Sequence, residues 1–267
     1  MLLREVEYAR PASVQEALRL LAEHDGARAL AGGQTLINVM KARAASPDVL
    51  VDLRDLEELR GIELGADGTL DLGAMTTYAE VIGSAEVRAR PILADVCAQI
   101  ADVQVRNRGT IGGNVCSNDP TNHLPPLLVA IGATMTVVGA EGERNVPAAD
   151  FFLGVYLTAA GPGELLTRIS VPPGKHDGFA SVPIGKDGTC IVNVAASLNG
   201  EARLAIGCVD AVPLLIELEA TEDDAVREAV RGANLDPPAD VHASADYRRH
   251  LAEVLSVRAV AQARRGR

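Results

Sequence analysis

The chain has 267 residues, 48% hydrophobic and 23% charged, with a formal net charge of -11. That length is enough for two domains with sizeable cores, and the balance of apolar and charged residues is that of a globular protein. The acidic surplus repels phosphate backbones and anionic lipid heads, which sets aside nucleic acid and membrane surfaces as partners, and with 3% aromatics and no Trp a ring-stacking site rich in protein aromatics is not expected.

The first segment, "ARPASVQEALRLLAEHDGARALAGGQT", opens as an α/β unit. Ser13 and Glu16 make an S-x-x-E capping box, and Val14, Ala17, Leu18 and Leu21 share one helical face. "ARALA", residues 27–31, reads as a buried strand that runs into Gly32-Gly33. "LINVMKAR" has helical spacing, and "DVLVDL", residues 48–53, is a second strand. "LRGIELGADGTLDLGA" signals a hairpin with Asp67-Gly68 at its turn. A second capping box spans Thr77 to Glu80, and "PILADVCAQIA" reads as a helix with Pro91 in its first turn.

"RNRGTIGGN", residues 106–114, reads as a glycine loop. Pro125-Pro126 then open a short apolar helix, "TMTVVGAEGERNV" is a hairpin pattern, and "GELLTRISVPP" is a strand stopped by proline. "PPGKHDG", residues 172–178, is the best linker candidate. Behind it, "CIVNVAASLNGEARLAIGCV" gives two strands about an Asn199-Gly200 turn. "DDAVREAVRGA" and "SADYRRHLAEVLSVRAVAQARR" are helical, the second amphipathic through Leu251, Val254, Leu255 and Val260. Its Arg264, Arg265 and Arg267 suit a helix C-terminus and read mainly as a solvated tail.

No apolar run approaches the roughly 20 residues that span a bilayer. The charged start, "MLLREVEYAR", lacks a signal-peptide core, so a cytoplasmic location is expected. Cys97, Cys116, Cys190 and Cys208 are widely spaced without C-x-x-C. They read as small buried hydrophobes rather than metal or cluster ligands, with Cys116, just past the glycine loop, the one to watch. His24, His176, His242 and His250 lie in polar stretches and read as solvated.

Two glycine sites carry the chemistry: "AGGQT", residues 31–35, and "GTIGGN", residues 109–114. Glycine admits positive φ and close approach of a ligand to the main chain. Successive N–H groups in such turns form an anion-binding concavity, which a following helix N-terminus strengthens. A diphosphate is the natural guest, and Thr35 can donate to one of its oxygens. Neither site is G-x-G-x-x-G or a P-loop. Together they point to a dinucleotide held between two layers.

"AGGQTLINVMKAR" and "ADVQVRNRGTIGGNVCSNDPTNHLPPLLVAIGA" resemble the two signatures of the FAD-binding medium subunits of molybdenum hydroxylases, the carbon monoxide dehydrogenase and xanthine dehydrogenase family. "ADFFLGVYLTAAGPGELLTRISVP" continues the resemblance, which covers about the first 170 residues well and the rest loosely. The family fold it implies is α+β: a two-subdomain FAD-binding domain of PCMH-like type over residues 1–173 (subdomains about 1–55 and 56–173), then a smaller α+β C-terminal domain over residues 174–267. The implied role is an oxidoreductase subunit. FAD in this chain takes electrons from the [2Fe-2S] clusters of a small subunit and hands them to an external acceptor. A large subunit carries molybdopterin, and the assembly is a dimer of heterotrimers.

Carried over by position, the resemblance implies that Ala31, Gly32, Gly33, Gln34, Thr35 and Leu36 wrap the FAD diphosphate with backbone N–H groups. Thr110, Ile111, Gly112, Gly113 and Asn114 would do so from the other side, with side-chain bonds from Thr110 and Asn114. Ile100, Ala101 and Leu166 fall near the flavin ring, and Asp119 in the loop that closes over the cofactor. His123 stands where many relatives carry Asp. It reads either as a partner of a ribityl or ribose hydroxyl or as a loop His beside Pro125. In "SVPIGKDGTCIVNVAAS" only Lys186 remains of the family's basic and acidic set, as a flavin contact or a turn lysine, so an NAD acceptor is not assumed.

A flavin already carries redox chemistry, so the chain needs no catalytic side-chain set. The alternatives are a free-standing FAD oxidase or dehydrogenase, for which the region after residue 175 is small, and a structural subunit that has lost its flavin.

Overall fold

The computed structural model describes residues 3–185 and 189–266. The N-terminal segment alternates β1 (Glu7–Ala9), α1 (Val14–Glu23), β2 (Ala27–Leu30), α2 (Leu36–Lys41) and β3 (Val49–Asp52). Its strands form a parallel sheet in the order β1-β3-β2. Ser13 caps α1 by accepting from the Glu16 amide, but the Glu16 carboxylate reaches back to the Ala12 amide rather than to Ser13, so the box closes one residue early. Val14 and Ala17 are buried against Val49 and Val51, with Leu18 and Leu21 packed beside them.

The middle segment runs β4 (Ile62–Leu64), β5 (Leu70–Gly73), α3 (Tyr78–Gly83), α4 (Ile92–Cys97), α5 (Val103–Arg106), α6 (Ile111–Ser117), α7 (Leu124–Ala130), β6 (Thr134–Gly139), β7 (Gly142–Pro147), α8 (Ala148–Phe151), β8 (Phe152–Gly154), β9 (Leu157–Thr158) and β10 (Leu165–Val171). Five of these strands pair antiparallel in the order β4-β5-β10-β6-β7, and β8 and β9 make a separate hairpin. The Asp67-Gly68 turn forms as read: Asp67 accepts from Thr69, and Gly68 sits at φ 85°. The Thr77/Glu80 box closes in both directions. The second glycine motif is not a loop. Thr110 is the N-cap of α6, and Ile111 to Asn114 are its first turn.

The last segment is an antiparallel sheet, β11 (Asp177–Ile184), β12 (Thr189–Ser197), β13 (Arg203–Gly207) and β14 (Leu214–Glu217), followed by α9 (Asp223–Gly232) and α10 (Ala245–Arg265). Strand alternation gives it two buried faces. Val192, Val194, Ala196, Leu204 and Ile206 pack toward α10, whereas Phe179, Ala195 and Ala205 join the core that holds α7. Leu251, Leu255 and Val260 of α10 are buried, and Arg264 pairs with Asp223 on α9 at 2.6 Å rather than lying free. No helix among the described residues is long and apolar enough to cross a membrane.

Residues 172–177 are tied down by one buried arginine. Arg90 donates to both carboxylate oxygens of Asp177 at 2.8 Å, to Ser197 Oγ at 3.1 Å and to the Pro172 carbonyl at 2.5 Å. Asn199 adds a bond to Asp177 at 2.8 Å and accepts from the Lys175 and His176 amides. Both members of the ion pair are almost fully enclosed.

Candidate cofactor-binding site

The two glycine motifs, residues 31–35 and 109–114, meet backbone to backbone. A Cβ on Gly32 would stand 2.9 Å from the Gly109 Cα, and one on Gly113 would lie 3.4 Å from the Ala31 Cβ. Gly109 in turn lies under the Tyr78 ring, and its carbonyl accepts from the Tyr78 amide at 3.1 Å. The fold thus supplies a cleft with one wall from the β2–α2 turn and one from the start of α6.

The walls differ in what they offer. In the first, Gly33 takes φ 72°, and Thr35 stands at the start of α2 with no side-chain cap bond. Among the described residues no protein acceptor takes the amides of Gly32, Gly33, Gln34, Thr35 or Leu36, while the Gln34 side chain bonds back to the Gly32 carbonyl. A run of unpaired amides before a helix is a donor set for anionic oxygens.

In the second wall the expected N–H cradle is absent. The Ile111 amide donates to Thr76 O at 3.0 Å, Gly112 to Ala74 O at 2.9 Å, Gly113 to Thr110 Oγ1 at 3.0 Å and Asn114 to Thr110 O at 3.0 Å. These donors are engaged by protein, and so is the Thr110 hydroxyl oxygen as a capping acceptor. The unsatisfied group in this wall is the Asn114 Oδ1, which is buried without a hydrogen-bond partner. A buried unpaired acceptor is costly, and Asn114 is placed to take a hydroxyl or N–H donor rather than a phosphate oxygen.

The remaining predicted residues divide. Ile100 is buried, and Ala101 adopts φ 46°; Arg106 holds their two carbonyls at 3.0 and 2.8 Å, so the 100–101 turn abuts the helix that leads into Gly109. Leu166 is buried in the same core at the β10 bulge, where Thr167 O accepts from Ala74. Asp119 follows α6, but its carboxylate is engaged by Thr121 at 2.9 and 2.7 Å and by the Tyr156 hydroxyl at 3.2 Å. Lys186 lies outside the described residues.

His123 is not presented as a hydroxyl partner. It is 2% exposed, stacks on Phe179 with ring centroids 5.6 Å apart, and its Nε2 lies 3.4 Å from Cys190 Sγ. Burial pushes its pKa down to about 4, so the ring is neutral near pH 7. Burial likewise raises the Cys190 thiol to about 11, which keeps it protonated and unreactive. Cys97 and Cys208 are also buried, whereas Cys116 is exposed.

Sequence reasoning missed four residues that build the site. Tyr78 seats Gly109. Asn118, at φ 38°, donates to Gly154 O and Leu157 O at 2.6 and 3.1 Å. Asn122 and Asn193 link the loop after α6 to the C-terminal sheet. The signal for Asn193 was present, a single amide inside the apolar run "CIVNVAA".

A parallel N-terminal sheet, a five-stranded antiparallel sheet and two abutting glycine motifs define a nucleotide-cofactor domain with a helix-covered C-terminal sheet. Residues 4–174 match the family model for the FAD binding domain in molybdopterin dehydrogenase. The carbon monoxide dehydrogenase medium chain of Afipia carboxidovorans is 40% identical over 97% of this chain and 96% of its own. The glyceraldehyde dehydrogenase medium chain of Sulfolobus acidocaldarius is 35% identical over 96% and 97%. The solved carbon monoxide dehydrogenase of Hydrogenophaga pseudoflava superposes with a TM-score of 0.92 at 34% identity, covering 99% of both chains. The chain belongs to the family of FAD-binding medium subunits of molybdenum hydroxylases, which are oxidoreductase subunits.

Proposed function

We propose that this chain holds FAD between the β2–α2 turn and the start of α6, and passes electrons from the iron–sulfur clusters of a small partner subunit to an external acceptor. The observation that carries the reading is the run of unpaired amides from Gly32 to Leu36 beside the unpartnered Asn114 Oδ1. The donor set suits a diphosphate, and the lone acceptor suits a hydroxyl or N–H of the same molecule. FAD, when bound, supplies the redox chemistry, and the protein supplies binding and orientation.

In this reading the amides of Gly32 to Leu36 and the Thr35 hydroxyl hold the diphosphate, Asn114 orients a donor group, and Ile100, Ala101 and Leu166 shape the apolar side. Residues 1–173 serve as the FAD domain, with subdomains about 1–55 and 56–173, and residues 174–267 as the C-terminal domain. The partners are a large molybdopterin subunit and a small iron–sulfur subunit, a reading supported by the medium-chain names of the relatives; the assembly proposed with them is a cytoplasmic dimer of heterotrimers.

The test is the visible spectrum of the purified native complex, followed by acid release and identification of any flavin. Released FAD near one per chain is the expected result. Thr35→Val should then weaken FAD binding by up to about tenfold, the worth of one hydrogen bond, because its hydroxyl makes no cap bond that the fold would miss. A metal-loaded complex without flavin would overturn the reading.

A further inference from the structure

The loop joining α6 to α7 carries Asp119 and is fastened on three sides. Toward the β8–β9 hairpin, Asn118 donates to Gly154 and Leu157, and its carbonyl accepts from the Tyr156 amide at 3.1 Å. Toward α6, Asn122 Nδ2 donates to the Asn114 carbonyl at 3.2 Å. Toward the C-terminal sheet, Asn193 Nδ2 donates to the Asn122 carbonyl at 3.0 Å.

Asn193 is fully buried in the middle of β12. Strand alternation places it on the face shared by Ala195, the face turned to α7. Opposite it lies Gly207, where any Cβ would collide with Asn193 Oδ1 and meet its Cγ at 3.2 Å. That Oδ1 has no partner. A buried amide with half its polar capacity unmet lowers the stability of an apolar strand. The Asn122 carbonyl, on the loop after α6, is the acceptor that this buried amide serves outside its own sheet.

We propose that Asn193 is a positioning residue for the cofactor site: by holding the Asn122 carbonyl it sets the Asn122 side chain that bonds the Asn114 main-chain carbonyl, in the residue whose own Oδ1 is buried without a partner beside the cleft. The C-terminal sheet then forms part of the site through Asn193. This inference rests on the FAD reading and adds a dependence that the glycine turns alone do not have.

The experiment uses the native complex, stripped of flavin and titrated with FAD. The readouts are the dissociation constant, from flavin fluorescence, and the midpoint potential of the bound flavin. Asn193→Leu, close in volume but without a donor, should raise the dissociation constant about tenfold, one hydrogen bond's worth, and shift the potential. Asn122→Ala should act in the same direction. The double variant should be no weaker than the worse single one, because both break one chain of contacts. Ser256→Ala, on α10 and equally buried, should leave both readouts at wild-type values. If Asn193→Leu does not fold, Asn193→Ser replaces it, since a serine hydroxyl is too short to reach the carbonyl. Wild-type affinity and potential in the Asn193 variant, or strict additivity in the double, would overturn the proposal. A wild-type complex that takes up no FAD would instead overturn the cofactor reading and this inference with it.

Discussion

Gly32 and Arg108 meet main chain to main chain: a Cβ on Gly32 would stand 2.8 Å from the Arg108 carbonyl carbon and closer still to its oxygen. Neither atom belongs to a flexible side chain, so the contact cannot relax cheaply. Gly32→Ala should push the two walls of the cleft apart, costing about 1–3 kcal/mol of stability as other overpacked contacts do, and should weaken FAD binding as well. Gly33→Ala differs. Its φ is 72°, and its nearest neighbour would be the Ile37 side chain at 3.3 Å, so the cost is mainly left-handed backbone strain of about 1–2 kcal/mol. Urea denaturation combined with FAD titration separates the two, and a Gly32→Ala variant that matches wild type in both would contradict the contact.

The Arg90–Asp177 pair joins the segment before α4 to the start of β11, with both side chains almost fully enclosed. Removing one partner leaves a buried charge. Asp177→Ala should therefore cost about 3–5 kcal/mol. The paired replacement Arg90→Met/Asp177→Leu should recover a large part of that loss, because neither charge is then stranded. Chemical denaturation of the three proteins tests the relation, and a double variant as unstable as the single one would count against it.

Burial holds His123 at a pKa of about 4, below its ordinary 6.5. Well above pH 6.5 the ring is neutral both folded and unfolded and adds no pH dependence. As pH falls from 6.5 toward 4, the unfolded chain takes up a proton that the folded one refuses, so stability declines through that window. The loss amounts to about 3 kcal/mol. His123→Asn should flatten that part of the curve, leaving the decline below pH 4 that other groups cause. Denaturation midpoints between pH 7 and 4 for both proteins give the comparison, and identical slopes would show that the ring is not buried as described.

Caps and turns were legible because their cause is local. Thr77 with Glu80 and Asp67-Gly68 each fix their backbone within four residues, and the helix and strand periods around them followed. The features that escaped depend on distant partners. Gly112 and Gly113 read as a loop because glycine disfavours helix by about 1 kcal/mol; α6 holds them regardless because Gly112 packs against Ala74, where a Cβ would stand 2.6 Å from the Ala74 Cβ and no larger residue fits. β11 was not read as a strand because it holds Gly178 and Pro183. Gly178 lets α10 approach, a Cβ there lying 2.9 Å from the Ala259 carbonyl carbon, and Pro183 sits at a register shift on the sheet edge, where a missing donor is tolerated. The candidate site was legible as two glycine motifs. That only one of them keeps its amides free, and that His123 turns into the core against Phe179, depends on contacts with Ala74, Thr76 and a strand more than 50 residues away.

The amides of Ile111 and Gly112 are closed on the Thr76 and Ala74 carbonyls, and the consequence is one of timing. One side of the cleft is finished by the chain's own folding and needs no guest to hold its shape. In the proposed reading the other side, five residues from Gly32 to Leu36, is where the cofactor loads, and its capture is then a local event on a template that folding has already formed.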